Sequence, residues 1–191
     1  MKRAILVPIA AALLLQACGA KTAVSGDPLA PIPESAMVAV LGLEFADPGI
    51  ARDATDSLYA ALRSDCRGLA VIPPDTVAER MTAARIVVPR QLNRVFFEQF
   101  ASAVNAGYVL SGGIIKWQEG RPRFPVASET EVQVSLSLHD VSTSQRIWSV
   151  NGEKTGGGGV FSDNPATTAR KLFDDMLKKL PNFCRSGPAG Q

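Results

Sequence analysis

The chain has little of what most metal, redox and nucleic-acid sites require. Its 191 residues include one histidine, His139, and three cysteines. A zinc site needs several His or Cys ligands close together, and a dithiol redox site needs a Cys-x-x-Cys pair; the sequence contains neither. Charge of one sign is not in excess, since 20 Lys and Arg stand against 18 Asp and Glu, so no basic footprint for nucleic acid is indicated. We therefore predict no metal, no cofactor and no nucleic-acid partner.

Long apolar runs are also missing, with one exception at the amino terminus. Residues 4–15 form an apolar run that is too short to cross a bilayer as a helix, and Lys2 and Arg3 precede it. The run ends in Leu-Gln-Ala-Cys, with a small Ala directly before Cys18, which is the pattern of a bacterial lipobox. This pattern predicts a lipoprotein signal peptide over 1–17 and lipidation, palmitate included, at Cys18. An ordinary secretory signal with a chance cysteine is the alternative.

Lipidation of Cys18 predicts a place in the bacterial envelope. Gly19 stands where an Asp would favour retention at the inner membrane, so we predict an outer-membrane lipoprotein that faces the periplasm. In that oxidising compartment Cys66 and Cys184 are predicted to form a disulfide, because each ends a predicted helix. Two unrelated buried thiols are the alternative.

The remainder of the chain is predicted to form one domain. Residues 18–36 are small, polar and Pro-containing, which predicts an extended tether that reaches at most about 60 Å. Helical and strand periodicity runs through 37–184, and residues 185–191 are predicted to be a flexible tail.

The periodicity predicts an α/β (α+β) fold with the order β-α-β-α-α-β-β-β-α. A single mixed β-sheet of about five strands would be covered by helices. In the predicted helix over 91–105, the apolar positions include Val95, Phe96 and Phe100. Two consecutive glycines at 112–113 predict a bulge or close backbone packing. The predicted strands are 37–45, 69–72, 108–118, 130–141 and 146–153.

Several of these segments resemble a known group of envelope proteins. They are a Val-Ala-Val-Leu strand at 38–41, the segment Ala-Gly-Tyr-Val-Leu-Ser-Gly at 106–112, and the hairpin 134–149. They are similar to the family that contains the curli-secretion lipoprotein CsgG, the penicillin-binding-protein activator LpoB and the amino-terminal domain of TolB. The resemblance implies a small α/β domain, and it indicates fold better than activity. Segments 119–129 and 155–162 are too short for a membrane-spanning hairpin, so no pore is expected.

His139 is the one residue that invites a catalytic interpretation. It faces away from the apolar side of its strand and stands next to Asp140. A Ser-His-Asp hydrolase would need a nucleophile beside it, but the chain has no Gly-x-Ser-x-Gly motif. A solvated histidine on a strand is far commoner, so we predict no catalytic residue.

The best candidate for partner binding is the loop that begins at Trp117. It carries Arg121, Arg123 and Phe124, and aromatic and Arg side chains are enriched at interfaces. The alternative is an ordinary loop whose aromatic side chains pack back onto the domain.

Taken together, these features predict a non-enzymatic outer-membrane lipoprotein that binds an unidentified periplasmic or envelope protein in envelope assembly or secretion. Because the tether is much shorter than that of the penicillin-binding-protein activator, a partner near the outer membrane is expected. One alternative is an accessory lipoprotein that binds a lipid or small ligand for an envelope transporter, in a deep apolar pocket. Another is a hydrolase of wall or lipid with His139 in a cleft. The sequence does not indicate which oligomeric state the protein adopts.

Overall fold

The described residues form six strands and four helices. The computed structural model describes residues 22–26, 32–33, 36–66, 68–120, 129–156 and 164–178. All five predicted strands and all four predicted helices are present, and one further strand precedes them. The elements are β1 (Thr22–Gly26), β2 (Met37–Val40), α1 (Pro48–Asp65), β3 (Ala70–Ile72), α2 (Pro74–Ala83), α3 (Arg94–Val104), β4 (Tyr108–Gln118), β5 (Thr130–Asp140), β6 (Gln145–Gly156) and α4 (Pro165–Leu177).

The strands form one mixed sheet in the order β1-β6-β5-β4-β2-β3. β2 runs parallel to both of its neighbours, β3 and β4. The pairs β4–β5, β5–β6 and β6–β1 are all antiparallel. The predicted single mixed sheet is confirmed, and its long antiparallel strands β4 to β6 hold the candidate site described below.

Helices cover the two faces of the sheet unequally. α1 and α4 pack on one face, over a core that includes the fully buried Val132, Val134, Leu136 and Leu138. α4 approaches closely because Gly152 of β6 lacks a side chain, and a Cβ there would lie 2.7 Å from Met176 Sδ. α2 and α3 pack on the opposite face over the β2–β3 side, with Leu41, Ile72, Phe97, Phe100 and Val109 in their core. Over the rest of that face, the described part of the chain places no helix.

Polar caps fix the ends of α1 and α3. Asp47 Oδ1 accepts the amide hydrogen of Gly49 at 2.8 Å, and a proline occupies the first turn of α1. Asn93 caps α3 by accepting the amide hydrogen of Phe96 at 3.0 Å. Asn105 ends α3 in the left-handed conformation, with φ 57°. The cap at Asn93 also fixes where the segment between α2 and α3 ends, and that segment lines the cavity described below.

The predicted close packing at the paired glycines of β4 is confirmed. A Cβ on Gly112 would overlap the carbonyl oxygen of Ser135 and would lie 2.8 Å from Leu136 Cδ2. The register of β4 against β5 shifts only beyond this point, between Ile114 and Lys116. Gly112 therefore allows the two strands and the core side chains behind them to approach one another.

The predicted extended tether over 18–36 differs from the structure in two places. Residues 22–26 form β1, which pairs with β6 along its whole length. Ile32 is only 8 % exposed and belongs to the core under α1 and α4. A short segment of small and polar residues has no strand pattern of its own, and the edge of β6 supplies the pairing that the sequence pattern does not reveal.

Candidate functional site: the open sheet face

The sheet surface that α2 and α3 leave uncovered is the candidate site, and we call it the open face. Every second residue of β5 enters the core under α1 and α4, so the polar residues between them face the other way. The strand register aligns them with residues of β4 and β6 in rows across the sheet. The open face consists of Ser111, Gly113, Gln133, Ser135, Ser137, His139, Arg146, Ser149, Asn151 and Glu153.

A cavity of about 560 Å³ lies on this face, beside the segment that joins α2 to α3. The segment contributes Val88, Pro89, Arg90 and Leu92. Thr55 of α1 accepts the amide hydrogen of Leu43 at 2.9 Å, which fixes the residues after β2 at another side of the cavity. The remaining lining residues are Leu41, Gly42, Glu44, Ser111, Gly112, Gly113, Ser135, Ser137, His139 and Arg146.

The cavity presents hydrogen-bonding groups that the described protein leaves unused. Within the described residues, the hydroxyls of Ser111, Ser135 and Ser137 make no hydrogen bond to protein, and Arg90 and Arg146 form no ion pair. Hydroxyls and guanidinium groups in this state are solvated, and a binding partner can replace the water without breaking a bond inside the domain. The arrangement suits recognition of a polar surface.

His139 lies at one end of the cavity with its ring against Phe97 of α3. The ring centroids are 5.5 Å apart and the planes are inclined by 35°. Burial, and next the positive charge of Arg146, lower the pKa of His139 from 6.5, so the ring is neutral at pH 7. The predicted orientation away from the apolar core of its strand is confirmed, but the ring is half-buried against α3 and not simply solvated.

Asp140 fixes a turn and does not orient His139. Its Oδ1 accepts the amide and hydroxyl hydrogens of Ser142 at 2.8 and 2.6 Å, and the amide hydrogen of Thr143 at 3.1 Å. Burial alone would raise the pKa of Asp140, but these hydrogen bonds outweigh it and lower the pKa. Among the residues that the structure describes, His139 therefore has no hydrogen-bonded carboxylate of the kind that orients the histidine of a hydrolytic triad. Among the residues that the structure describes, no three His, Cys, Asp or Glu side chains are grouped so that they could hold a metal ion.

The predicted partner-binding loop is only partly within the described residues. Trp117 belongs to β4, not to the loop, and its side chain packs against the core under α1 and α4. Arg121, Arg123 and Phe124 lie outside the described residues, so their part of the prediction is untested.

Of the three cysteines in the predicted covalent sites, the structure describes one, Cys66. Cys66 is the C-cap residue of α1 and is 1 % exposed, as expected for a cysteine at a helix end. Cys18 and Cys184 lie outside the described residues, so lipidation and the disulfide stay predictions. No helix in the described ranges is long and apolar enough to cross a membrane.

Comparison with known proteins gives a match in fold. No model of a known family and no curated protein matches the chain. The PelC dodecamer from Paraburkholderia phytofirmans is similar with a TM-score of 0.59 and 22 % identity, over 84 % of this chain and 97 % of that chain. Lipoprotein GNA1162 from Neisseria meningitidis is similar with a TM-score of 0.54 and 18 % identity, over 77 % and 99 %. The chain shares the fold of these proteins.

At such low identity the likeness concerns the fold alone. Within that limit, the likeness to GNA1162 supports the predicted lipoprotein-like fold. The carboxy-terminal domain of LpoB from Escherichia coli gives a TM-score of only 0.42 at 17 % identity, over 64 % of this chain and 84 % of that domain, which carries no argument. The narrower resemblance to CsgG and TolB stays a prediction.

Proposed function

We propose that this protein is a non-enzymatic, lipid-anchored protein of the outer membrane that binds a periplasmic or envelope protein through the open face. The open face itself carries the proposal, because its polar side chains are left without a covering helix within the described residues. The lipobox that ends at Cys18 and the likeness of fold to lipoprotein GNA1162 support the anchor. Asp140 is held by Ser142 and Thr143 and does not orient His139, which supports a role other than triad hydrolysis.

The chemistry of the cavity favours a protein surface over a lipid. A lipid site would be deep and mainly apolar. Here serine hydroxyls and two arginines stand beside Val88, which is 42 % exposed. Such a mixture of exposed apolar groups and free hydrogen-bonding groups is typical of protein interfaces. A small polar ligand for an envelope transporter remains the alternative occupant.

A second candidate function is self-assembly through the same face. The observation that favours it is the likeness to PelC, whose solved structure is a dodecamer. In this case the protein bound to the open face would be another copy of the chain. Light scattering on the acyl-free domain distinguishes a multimer from a monomer.

Photocrosslinking in intact cells tests the main proposal. A photoreactive amino acid replaces Ser137 on the open face or, as a control, Arg52, which is exposed on α1. We expect a discrete adduct from position 137 and none from position 52. Arg146→Glu should weaken the adduct because it reverses a charge on the open face, whereas the matched change Arg52→Glu should not.

Mass spectrometry of the adduct separates the candidates. A different envelope protein supports the proposed function, and a second copy of this chain supports self-assembly. Absence of an adduct at position 137, or an adduct that Arg146→Glu leaves at full strength, contradicts both.

We further propose the Cys66–Cys184 disulfide and a contact role for Arg121, Arg123 and Phe124. Closing so long a loop can stabilise the fold by about 4–5 kcal/mol in the chain-entropy model. Alkylation before and after reduction counts the free thiols, and two thiols free before reduction would disprove the bond. If the loop binds, replacing Arg121 and Phe124 with Ala weakens partner capture without lowering Tm.

A further inference from the structure

The first strand lies very close to the predicted lipidation site. β1 begins at Thr22, so only residues 19–21 separate it from Cys18. Even fully extended, this connection spans no more than about 14 Å. β1 is part of the sheet, because its five residues pair with β6 from Thr22 opposite Lys154 to Gly26 opposite Val150.

Ile32, beyond β1, is held in the domain as well. Ile32 is 8 % exposed and lies in the core that α1 and α4 cover. β2 then begins at Met37 and lies inside the sheet, between β4 and β3. While β1 is paired in the sheet, the distance from Cys18 to the domain is set by the connection before Thr22, which spans about 14 Å where the sequence predicted a reach of about 60 Å.

We propose that the acylated domain rests directly on the bilayer, with the end of the sheet that contains Thr22 turned to the lipid headgroups. The inference rests on the proposed lipidation of Cys18. The partner of this end is the lipid surface, because a connection of about 14 Å holds the strand end at the membrane whatever else the domain binds.

Strand direction identifies the residues at each end of the sheet. Thr22 pairs with Lys154 near the end of β6, where β5 begins at Thr130 and β4 ends at Gln118. We call this the anchor end. The turn before Gln145 lies at the opposite end, about 35 Å away, because β5 has 11 residues that rise about 3.3 Å each.

The same geometry places the open face relative to the membrane. Lys154 pairs with Val132, and His139 lies seven residues further along β5, or about 23 Å towards the far end. With the connection fully extended and the strands upright, His139 stands about 40 Å from the membrane at most. A partner at the same membrane can reach this face without any extension of the lipoprotein.

Two insertions distinguish a docked β1 from a loose tether. A Gly/Ser linker of about ten residues is placed either between Lys21 and Thr22 or, as the matched control, between Asp27 and Pro28. The lipidated full chain is reconstituted in phosphatidylethanolamine–phosphatidylglycerol vesicles that contain a headgroup nitroxide quencher. A fluorescent amino acid reports from Gln118 at the anchor end or from Gln145 at the far end, both of which are exposed.

We expect the label at Gln118 to be quenched more strongly than the label at Gln145. The insertion before β1 should abolish most of this quenching, because it lengthens the connection between Cys18 and Thr22. The insertion after β1 should leave the quenching unchanged. Both insertion variants should have the same Tm. Equal quenching of the two labels, or equal effects of the two insertions, overturns the inference.

Palmitate incorporation, measured in the same proteins, separates this inference from the proposed anchor. If the protein incorporates palmitate but the two insertions change the quenching equally, the short connection is refuted and the lipoprotein assignment stands. If Cys18 incorporates no palmitate, the proposed anchor fails, and the docking inference fails with it.

Discussion

At the scale of single residues, the charge of Arg146 next to His139 gives a measurable prediction. Burial lowers the pKa of His139 first, and Arg146 lowers it further. Arg146→Gln should therefore raise this pKa part of the way towards 6.5, while the effect of burial remains. An NMR titration follows one histidine signal, because the chain has only one histidine. Arg90→Gln is the matched control in the same cavity and should leave the pKa unchanged; the same pKa in both variants would contradict the assignment.

The sign of the accompanying stability effect follows from the direction of that shift. A histidine whose folded-state pKa lies below 6.5 binds its proton less readily in the folded chain than in the unfolded one. Its contribution to stability is therefore present above pH 6.5 and is lost as the pH falls through the folded-state pKa. The loss should be smaller in Arg146→Gln than in the unaltered protein.

Burial of single residues could be predicted along the strands better than along α3. In β5, apolar residues alternate with polar ones, so the alternation alone predicts which side chains face the core. Every second residue from Val132 to Leu138 is buried, as expected. In α3, three apolar residues stand in a row at 95–97, so the helical period does not decide which of them face the sheet. Val95 is 62 % exposed, and Phe97, which contacts His139, is fully buried. Tertiary packing makes that choice.

At the scale of elements, an ion pair links α4 to β6 and gives a second prediction. Lys154 Nζ lies 2.8 Å from Asp175 Oδ2, with side chains 11 % and 28 % exposed, and Lys178 donates to the same carboxylate at 3.0 Å. Asp175→Asn removes a negative charge that lies next to the nearly buried ammonium of Lys154. We expect a loss of about 1–3 kcal/mol in the free energy of unfolding at pH 7, measured by urea denaturation.

The pH dependence of this loss has a defined sign. Burial would raise the pKa of Asp175, but hydrogen bonds from Lys154 and Lys178 outweigh it and lower the pKa below 3.8. The stabilisation is present above pH 3.8 and disappears as the pH falls through the folded-state pKa, so the difference between the two proteins should shrink in acid. Glu98→Gln is the control, since its pair with Arg94 is 83 % and 61 % exposed and is expected to change stability by less than about 0.5 kcal/mol. A similar loss in both variants would contradict the role of burial.

The existence of elements could be predicted where the signal is local. Periodicity and caps such as Asp47 and Asn93 lie within or next to the elements that they define. β1 could not be predicted, because its partner β6 is far away along the chain. The open face could not be predicted either, since it depends on which side of the sheet α2 and α3 cover. The local sign of the open face in the sequence is a pair of small serines, Ser135 and Ser137, between the inward residues of β5.

At the scale of the whole molecule, the anchor end and the open face are separate surfaces of the sheet. β4 ends and β5 begins at the anchor end, so the loop that carries Arg121, Arg123 and Phe124 leaves the sheet there. If the anchor end rests on the bilayer as proposed, a partner of that loop would meet it near the membrane surface. The cavity lies further along β5, and a partner of the open face can approach it from the side. The lipobox is a prediction from the sequence alone, whereas this separation follows from the strand register.

The boundary of the folded unit gives the last prediction. An acyl-free fragment that begins at Thr22 should melt at the same temperature as one that begins at Gly19, because residues 19–21 precede the first strand. A fragment that begins at Ala36 loses β1 and also Ile32, whose burial alone is worth about 2 kcal/mol. Its Tm, measured by circular dichroism, should fall by at least about 4 °C, since each kcal/mol shifts the Tm of a domain of this size by a few degrees. Equal melting temperatures for all three fragments would mean that residues 22–35 contribute nothing to the fold, and the short connection to the membrane would then have no structural basis.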